Sequence, residues 1–189
     1  MWIGHRQCIV CVDILYHGIL PNLFIHVSWE IMLERDKHHN ARLVEFFLEK
    51  VYGTASPSVE DLIRDNVISG THLSELAVSK VCGIKMHHIG IGQDLVDKSD
   101  IKTCTVRSHM KDGKWEIHQT QIRDIGCKKG KLRVIVYNPF FDSWSYFIIP
   151  YEMHKEQRHI GLSFNCKTGK PSGKWSEYAI SSWEEFCSK

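Results

Sequence analysis

The chain has 189 residues and a mass of 21.9 kDa, with 24 Lys and Arg against 22 Asp and Glu, a formal net charge of +2. A hydrophobic content of 43% with 5 Pro and 13 Gly excludes a disordered or collagen-like chain and fits one globular domain, residues 1–189. Asp13, His17, Pro21, Asn22 and His26 interrupt the first apolar stretch, which excludes a spanning helix there, and no small-residue cleavage site follows, so no secretory signal or membrane association is expected.

Seven scattered Cys, an odd number, suit free thiols and a cytoplasmic location better than a disulfide framework. In chain order, Ala41 to Tyr52 places Leu43, Val44, Phe47, Leu48 and Val51 on one helical face, and Gly53 can end that helix. Ser58 can cap a helix opening with Val59, Glu60 and Asp61, whose acids suit the positive end of the dipole. After Ser69-Gly70, Thr71 can cap a third helix, His72 to Cys82, stopped by Gly83.

From residue 84 onward, short apolar or alternating runs between Gly, Asp and Lys give strand signals. Strands are expected at Asp94 to Asp97, Asp100 to Arg107, Lys114 to Ile122, Leu132 to Tyr137, Trp144 to Ile149 and His159 to Phe164, with Leu132 to Tyr137 central. Ser176 to Phe186 reads as a terminal helix with Trp183 and Phe186 inward. A mainly helical segment 1–83 followed by a sheet-rich segment 84–189 implies an α/β or α+β domain around one mixed sheet flanked by helices.

Charge is unevenly spread. Residues 1–97 hold 8 basic and 12 acidic side chains, residues 98–133 hold 10 and 4, and the remainder is balanced. The middle block can follow a phosphate backbone, although a solvated face produces the same pattern. Its candidate nucleic-acid contacts are Lys111, Lys114, Gln119, Gln121, Lys128, Lys129 and Lys131, and the run KTGKPSGK adds Lys170 and Lys174. Amides such as those of Gln119 and Gln121 can read adenine, though strand amides commonly face solvent.

The block opens on the most informative segment, Asp94 to Thr103. Side-chain alternation puts Asp100 and Lys102 on one strand face and Ile101 on the other. A tight hairpin around Lys98-Ser99 would bring Asp94 across to Asp100. Two carboxylates and a backbone carbonyl, that of Ile101, suit Mg²⁺, with Mn²⁺ as a substitute, and leave positions for a phosphate oxygen and a water. Lys102 beside that water can orient or deprotonate it.

Asp94 followed by Asp100-Ile101-Lys102 resembles the signature of the PD-(D/E)xK nucleases, most closely the mismatch-repair nicking endonuclease and the related type II restriction endonucleases. The resemblance covers about fifteen residues. It implies a restriction-endonuclease-like fold, Mg²⁺-dependent hydrolysis of double-stranded DNA, catalytic roles for Asp94, Asp100 and Lys102, and an auxiliary acid at Glu75 on the preceding helix. It departs from the pattern in lacking a Pro before Asp94, and Asp97 competes for the first acid. Homodimers, common in that family, are expected because symmetric DNA sites match a two-fold axis.

Three other readings stay open: a structure-specific nickase or junction resolvase, a binding module without catalysis, and a zinc-stabilised regulatory domain. The last would use Cys8 and Cys11 with Cys82, His87, His88 or Cys104, but the sequence holds no second Cys-x-x-Cys at finger spacing. The twelve His form no His-Glu-x-x-His motif.

Overall fold

The computed structural model describes residues 41–65, 67, 70–87, 94–111, 114–123, 125 and 130–189. The expected Cys8/Cys11 pair, His88, Lys128 and Lys129 lie outside these residues.

Helix α1, Ala41–Tyr52, forms where the apolar spacing predicts it, with Leu43, Val44, Phe47 and Leu48 buried. It ends at Gly53, whose φ of 73° is a left-handed conformation that glycine adopts without a Cβ penalty. In α2, Val59–Arg64, the Ser58 hydroxyl accepts from the Asp61 amide at 3.1 Å. Helix α3, Gly70–Cys82, starts two residues upstream of expectation, so Thr71 lies inside its first turn and is not its cap. Leu73, Ala77 and Val78 point inward from it.

The strands form two four-stranded sheets, where the sequence reading expected one. The mixed sheet has the order β1 (Asp100–Thr105), β4 (Leu132–Asn138), β5 (Ser143–Ile149), β8 (Ala179–Ile180), with β1 and β4 parallel and the other pairs antiparallel. The second is antiparallel, with the order β2 (Arg107–Lys111), β3 (Lys114–Arg123), β6 (His159–Phe164), β7 (Pro171–Ser172). The expected single strand from Asp100 to Arg107 breaks at Val106, which is buried and donates its amide to the Tyr137 carbonyl at 2.9 Å. Beyond it the chain leaves β4 and enters the other sheet.

This division explains the apolar run of β4, all seven residues of which are buried. Ile135 and Tyr137 join a core with α1, α3 and the terminal helix, while Leu132, Val134 and Val136 alternate into a second core against Ile122, Ile160, Leu162 and Phe164. A strand covered on both faces loses the alternation of a half-exposed one. The mixed sheet is therefore flanked by helices on one face and by the second sheet on the other.

Helix α4, Tyr151–His154, is a single turn after β5. The expected helix from Ser176 to Phe186 is three elements: a 3-10 turn, Lys174–Tyr178, then β8, then α5, Trp183–Ser188. Ala179 and Ile180 are recruited by Phe147 and Tyr146 of β5, and the Ser182 hydroxyl accepts from the Glu185 amide at 3.1 Å to start α5 there. Trp183 and Phe186 are buried, as expected.

Candidate functional site

Asp94 to Asp97 is not a strand. Leu95 makes an isolated bridge with Met86, and the chain then reverses: the Asp94 and Leu95 amides donate to the Ser99 carbonyl, and the Lys98 amide donates to the Leu95 carbonyl. Lys98 takes a φ of 67°. The Asp97 carboxylate braces the reversal, accepting from both the amide and the hydroxyl of Ser99. The expected two-strand hairpin is thus a tight turn, and the ladder partner of β1 is β4.

The turn still brings the acids together. Asp94 Oδ2 accepts from the Ile101 amide at 2.6 Å, and its side chain lies within hydrogen-bonding reach of Asp100. Burial pushes the Asp94 carboxyl above its ordinary value; the Ile101 amide opposes this, and the Asp100 carboxylate adds to it. Asp100 is fully buried, and Lys102 Nζ lies 3.0 Å from its Oδ2, as same-face alternation requires.

Because β1 is an edge strand and Ile101 already donates away from β4, strand geometry places the Ile101 carbonyl on the same side, away from β4. Two carboxylates within reach of each other beside a main-chain carbonyl fit a hard divalent cation that keeps several waters. Among the described residues no group of three or more His, Cys, Asp or Glu is placed to hold a metal ion. Glu75 sits half-buried on α3, which packs against β1.

Sequence reasoning missed the support beneath the turn. Arg133, the second residue of β4 and 1% exposed, donates to the Phe186 carbonyl at 2.8 Å and lies 3.7 Å from Asp97 Oδ2. Lys131 lies 3.5 Å from the same carboxylate and donates to the Lys189 carbonyl at 2.8 Å. Lys131, expected at nucleic acid, has its charge engaged within the chain. The Asp100 amide donates to the Lys131 carbonyl at 3.1 Å, and Gly130 packs directly on the Lys98 backbone. His154 is buried, with Nε2 2.9 Å from the Gly130 carbonyl.

Of the other expected contacts, Gln119 and Gln121 are exposed on β3, and Lys170 and Lys174 are exposed near β7. Lys111 and Lys114 are register partners at the end of the β2–β3 pair. Cys82, Cys104, Cys166 and Cys187 carry free thiols. Among the described residues no helix is long and apolar enough to cross a membrane. Comparison of the chain with protein-family models, with curated proteins and with solved structures gives no match.

Proposed function

We propose that this protein is a Mg²⁺-dependent DNA endonuclease of the PD-(D/E)xK kind, with a restriction-endonuclease-like catalytic core, acting on double-stranded DNA as a type II site-specific enzyme. The observation that carries the reading is the convergence of Asp94 and Asp100 at the edge of β1 that pairs with no further strand, with Lys102 Nζ 3.0 Å from Asp100. A cation bound there would polarise a phosphate oxygen and lower the pKa of a bound water.

The side chains divide the remaining work. Asp94 is oriented by the Ile101 amide, so its carboxylate presents a fixed oxygen pair. Asp100 is held on β1 by pairing with β4 and presents its charge beside Asp94. Lys102, partly exposed, holds a water or a phosphate oxygen by its ammonium group and neutralises charge that develops on the phosphate. Glu75 serves as the auxiliary acid from α3, and a homodimer would match a two-fold symmetric site. Lys170, Lys174, Gln119 and Gln121 are exposed and available to DNA.

The test is incubation of the full chain with mixed-sequence duplex DNA and Mg²⁺ or Mn²⁺, using unmethylated substrates of several origins. Wild-type protein should give discrete fragments, and Lys102→Ala and Asp100→Asn, matched for folded content, should lose about 10²- to 10⁴-fold in rate. Cleavage that survives both substitutions, or intact DNA with every substrate and metal, overturns the reading.

A further inference from the structure

The exposed large hydrophobic side chains among the described residues include two aromatics, and these are adjacent: Phe140 at 49% and Phe141 at 38% exposed, in the turn between β4 and β5. One face of the Phe140 ring stacks on the His118 imidazole, with centroids 4.4 Å apart and planes 24° apart, so the exposed area is the other face. Phe141 meets the same imidazole edge-on at 6.1 Å.

The turn is built to hold these rings outward. The Asn138 side-chain oxygen accepts from the Phe140 amide at 3.2 Å, and its carbonyl accepts from the Phe141 amide at 3.3 Å. Tyr137 donates to Asp142 at 2.9 Å, and Asp142 is further tied to Arg42 at 3.4 Å. Gly169 packs so closely on Phe141 that a Cβ would fall 2.6 Å from the ring. That packing also brings the Asn165–Lys170 turn alongside, with Lys167 and Lys170 exposed on either side of Gly169.

The surface beneath is polar and unfinished. His118 Nδ1 and Ser108 Oγ occupy facing positions of β3 and β2, and both are buried without a hydrogen-bond partner. An open aromatic face, rigidly presented beside a turn that carries exposed lysines, has the chemistry that stacks on a nucleobase while the lysines take the phosphates.

We infer that Phe140, backed by His118 and with Lys167 and Lys170 exposed on the neighbouring Asn165–Lys170 turn, is a stacking wedge for a DNA base; the choice of DNA rests on the nuclease reading above. The wedge is remote from the carboxylates. Leu132, the partner of Asp100, and Asn138 lie at opposite ends of β4, roughly 20 Å apart at strand rise. Its loss therefore weakens DNA capture without touching the reacting groups.

The experiment uses the full chain without divalent metal, with a mixed-sequence duplex and its single strands carrying 2-aminopurine. Affinity and base fluorescence are compared for wild type, Phe140→Ala and Phe140→Trp, with circular dichroism confirming equal folding. Phe140→Ala should weaken binding about 5- to 150-fold and abolish the change in base fluorescence, while Phe140→Trp retains both. A joint Lys167→Ala, Lys170→Ala variant should lower the duplex salt slope by about 0.9 per lysine.

Equal affinity of wild type and Phe140→Ala overturns the wedge, as does binding of wild type to neither DNA form, or to anionic phospholipid vesicles alone. Phe140-dependent binding with no cleavage under any metal keeps the wedge and removes the nuclease. Cleavage lost in Lys102→Ala but unchanged, with unchanged binding, in Phe140→Ala keeps the nuclease and removes the wedge.

Discussion

Replacing Gly130 by alanine drives a methyl group into the backbone that carries the carboxylates. A Cβ on Gly130 falls 1.6 Å from the Lys98 carbonyl oxygen and 2.4 Å from its carbon. Restoring ordinary contact of about 3.5 Å needs a displacement of roughly 2 Å. Neither side yields cheaply: Gly130 is tied to His154 through its carbonyl, and Lys98 lies in a turn closed by three backbone hydrogen bonds. The cost belongs at the upper end of overpacking, about 3 kcal/mol. With a urea slope of about 2 kcal/mol/M, the unfolding midpoint followed by tryptophan fluorescence should fall by about 1.5 M.

Gly161→Ala is the internal control, because no atom lies within 4 Å of its added Cβ and its φ is not left-handed. Its stability should change by about 1 kcal/mol or less. Under the nuclease function proposed above, a shift of Asp94 relative to Asp100 by about 1 Å, half of the Gly130→Ala displacement, should lower cleavage by about 10²-fold even in the folded fraction. A Gly130→Ala midpoint no lower than that of Gly161→Ala would refute the packing described beneath the turn.

Arg133→Met removes a buried cation that binds both Asp97 and the Phe186 carbonyl, and should cost about 3 kcal/mol. Differential scanning calorimetry should show a Tm lower by roughly 6–12 °C, and a cycle with Asp97→Asn should be non-additive. A second prediction concerns pH. Burial raises the Asp65 carboxyl, but hydrogen bonding to Lys80, 2.7 Å away, and to Tyr52 outweighs it and leaves the group below its ordinary value. A carboxyl lowered on folding contributes its stability above the unfolded value near about 4 and loses it as pH falls through the folded value. Lys80→Met should therefore lower the urea midpoint at about pH 6, and its difference from wild type should shrink as pH falls through the depressed titration; a difference that stays the same as the solution is acidified would show that the pair contributes only packing.

Local patterns were legible where one element decides its own structure. The apolar stripe of α1, the Ser58 cap and the β4 run each found their expected place, because periodicity and capping act over a few residues. The two-residue alternation that pairs Asp100 with Lys102 is of the same kind. What escaped depends on distant partners. Val106 gives no turn signal, yet it sends the chain from one sheet to the other because Tyr137 captures its amide. Ala179 and Ile180 read as helix until β5 takes them as a strand. Arg133 looked like one more member of a basic block, whereas alternation along β4 turns it toward Phe186 and Asp97. The Phe140–Phe141 pair was legible only as two apolar residues after a proline, and the His118 ring beneath it comes from another sheet.

The parallel pairing of β1 with β4 also dictates an order of assembly. Helical contacts close over short loops, but Asp100 meets Leu132 only after the whole β2–β3 excursion has been accommodated. Non-local pairing of this kind is slow, since chain entropy is lost before the contacts that reward it have formed. The helices can therefore be in place while the Asp94 turn still lacks the strand that supports it. In a refolding reaction, helical circular dichroism should recover ahead of any activity that needs Asp94, Asp100 and Lys102 together, which makes regain of function a late reporter of the native state.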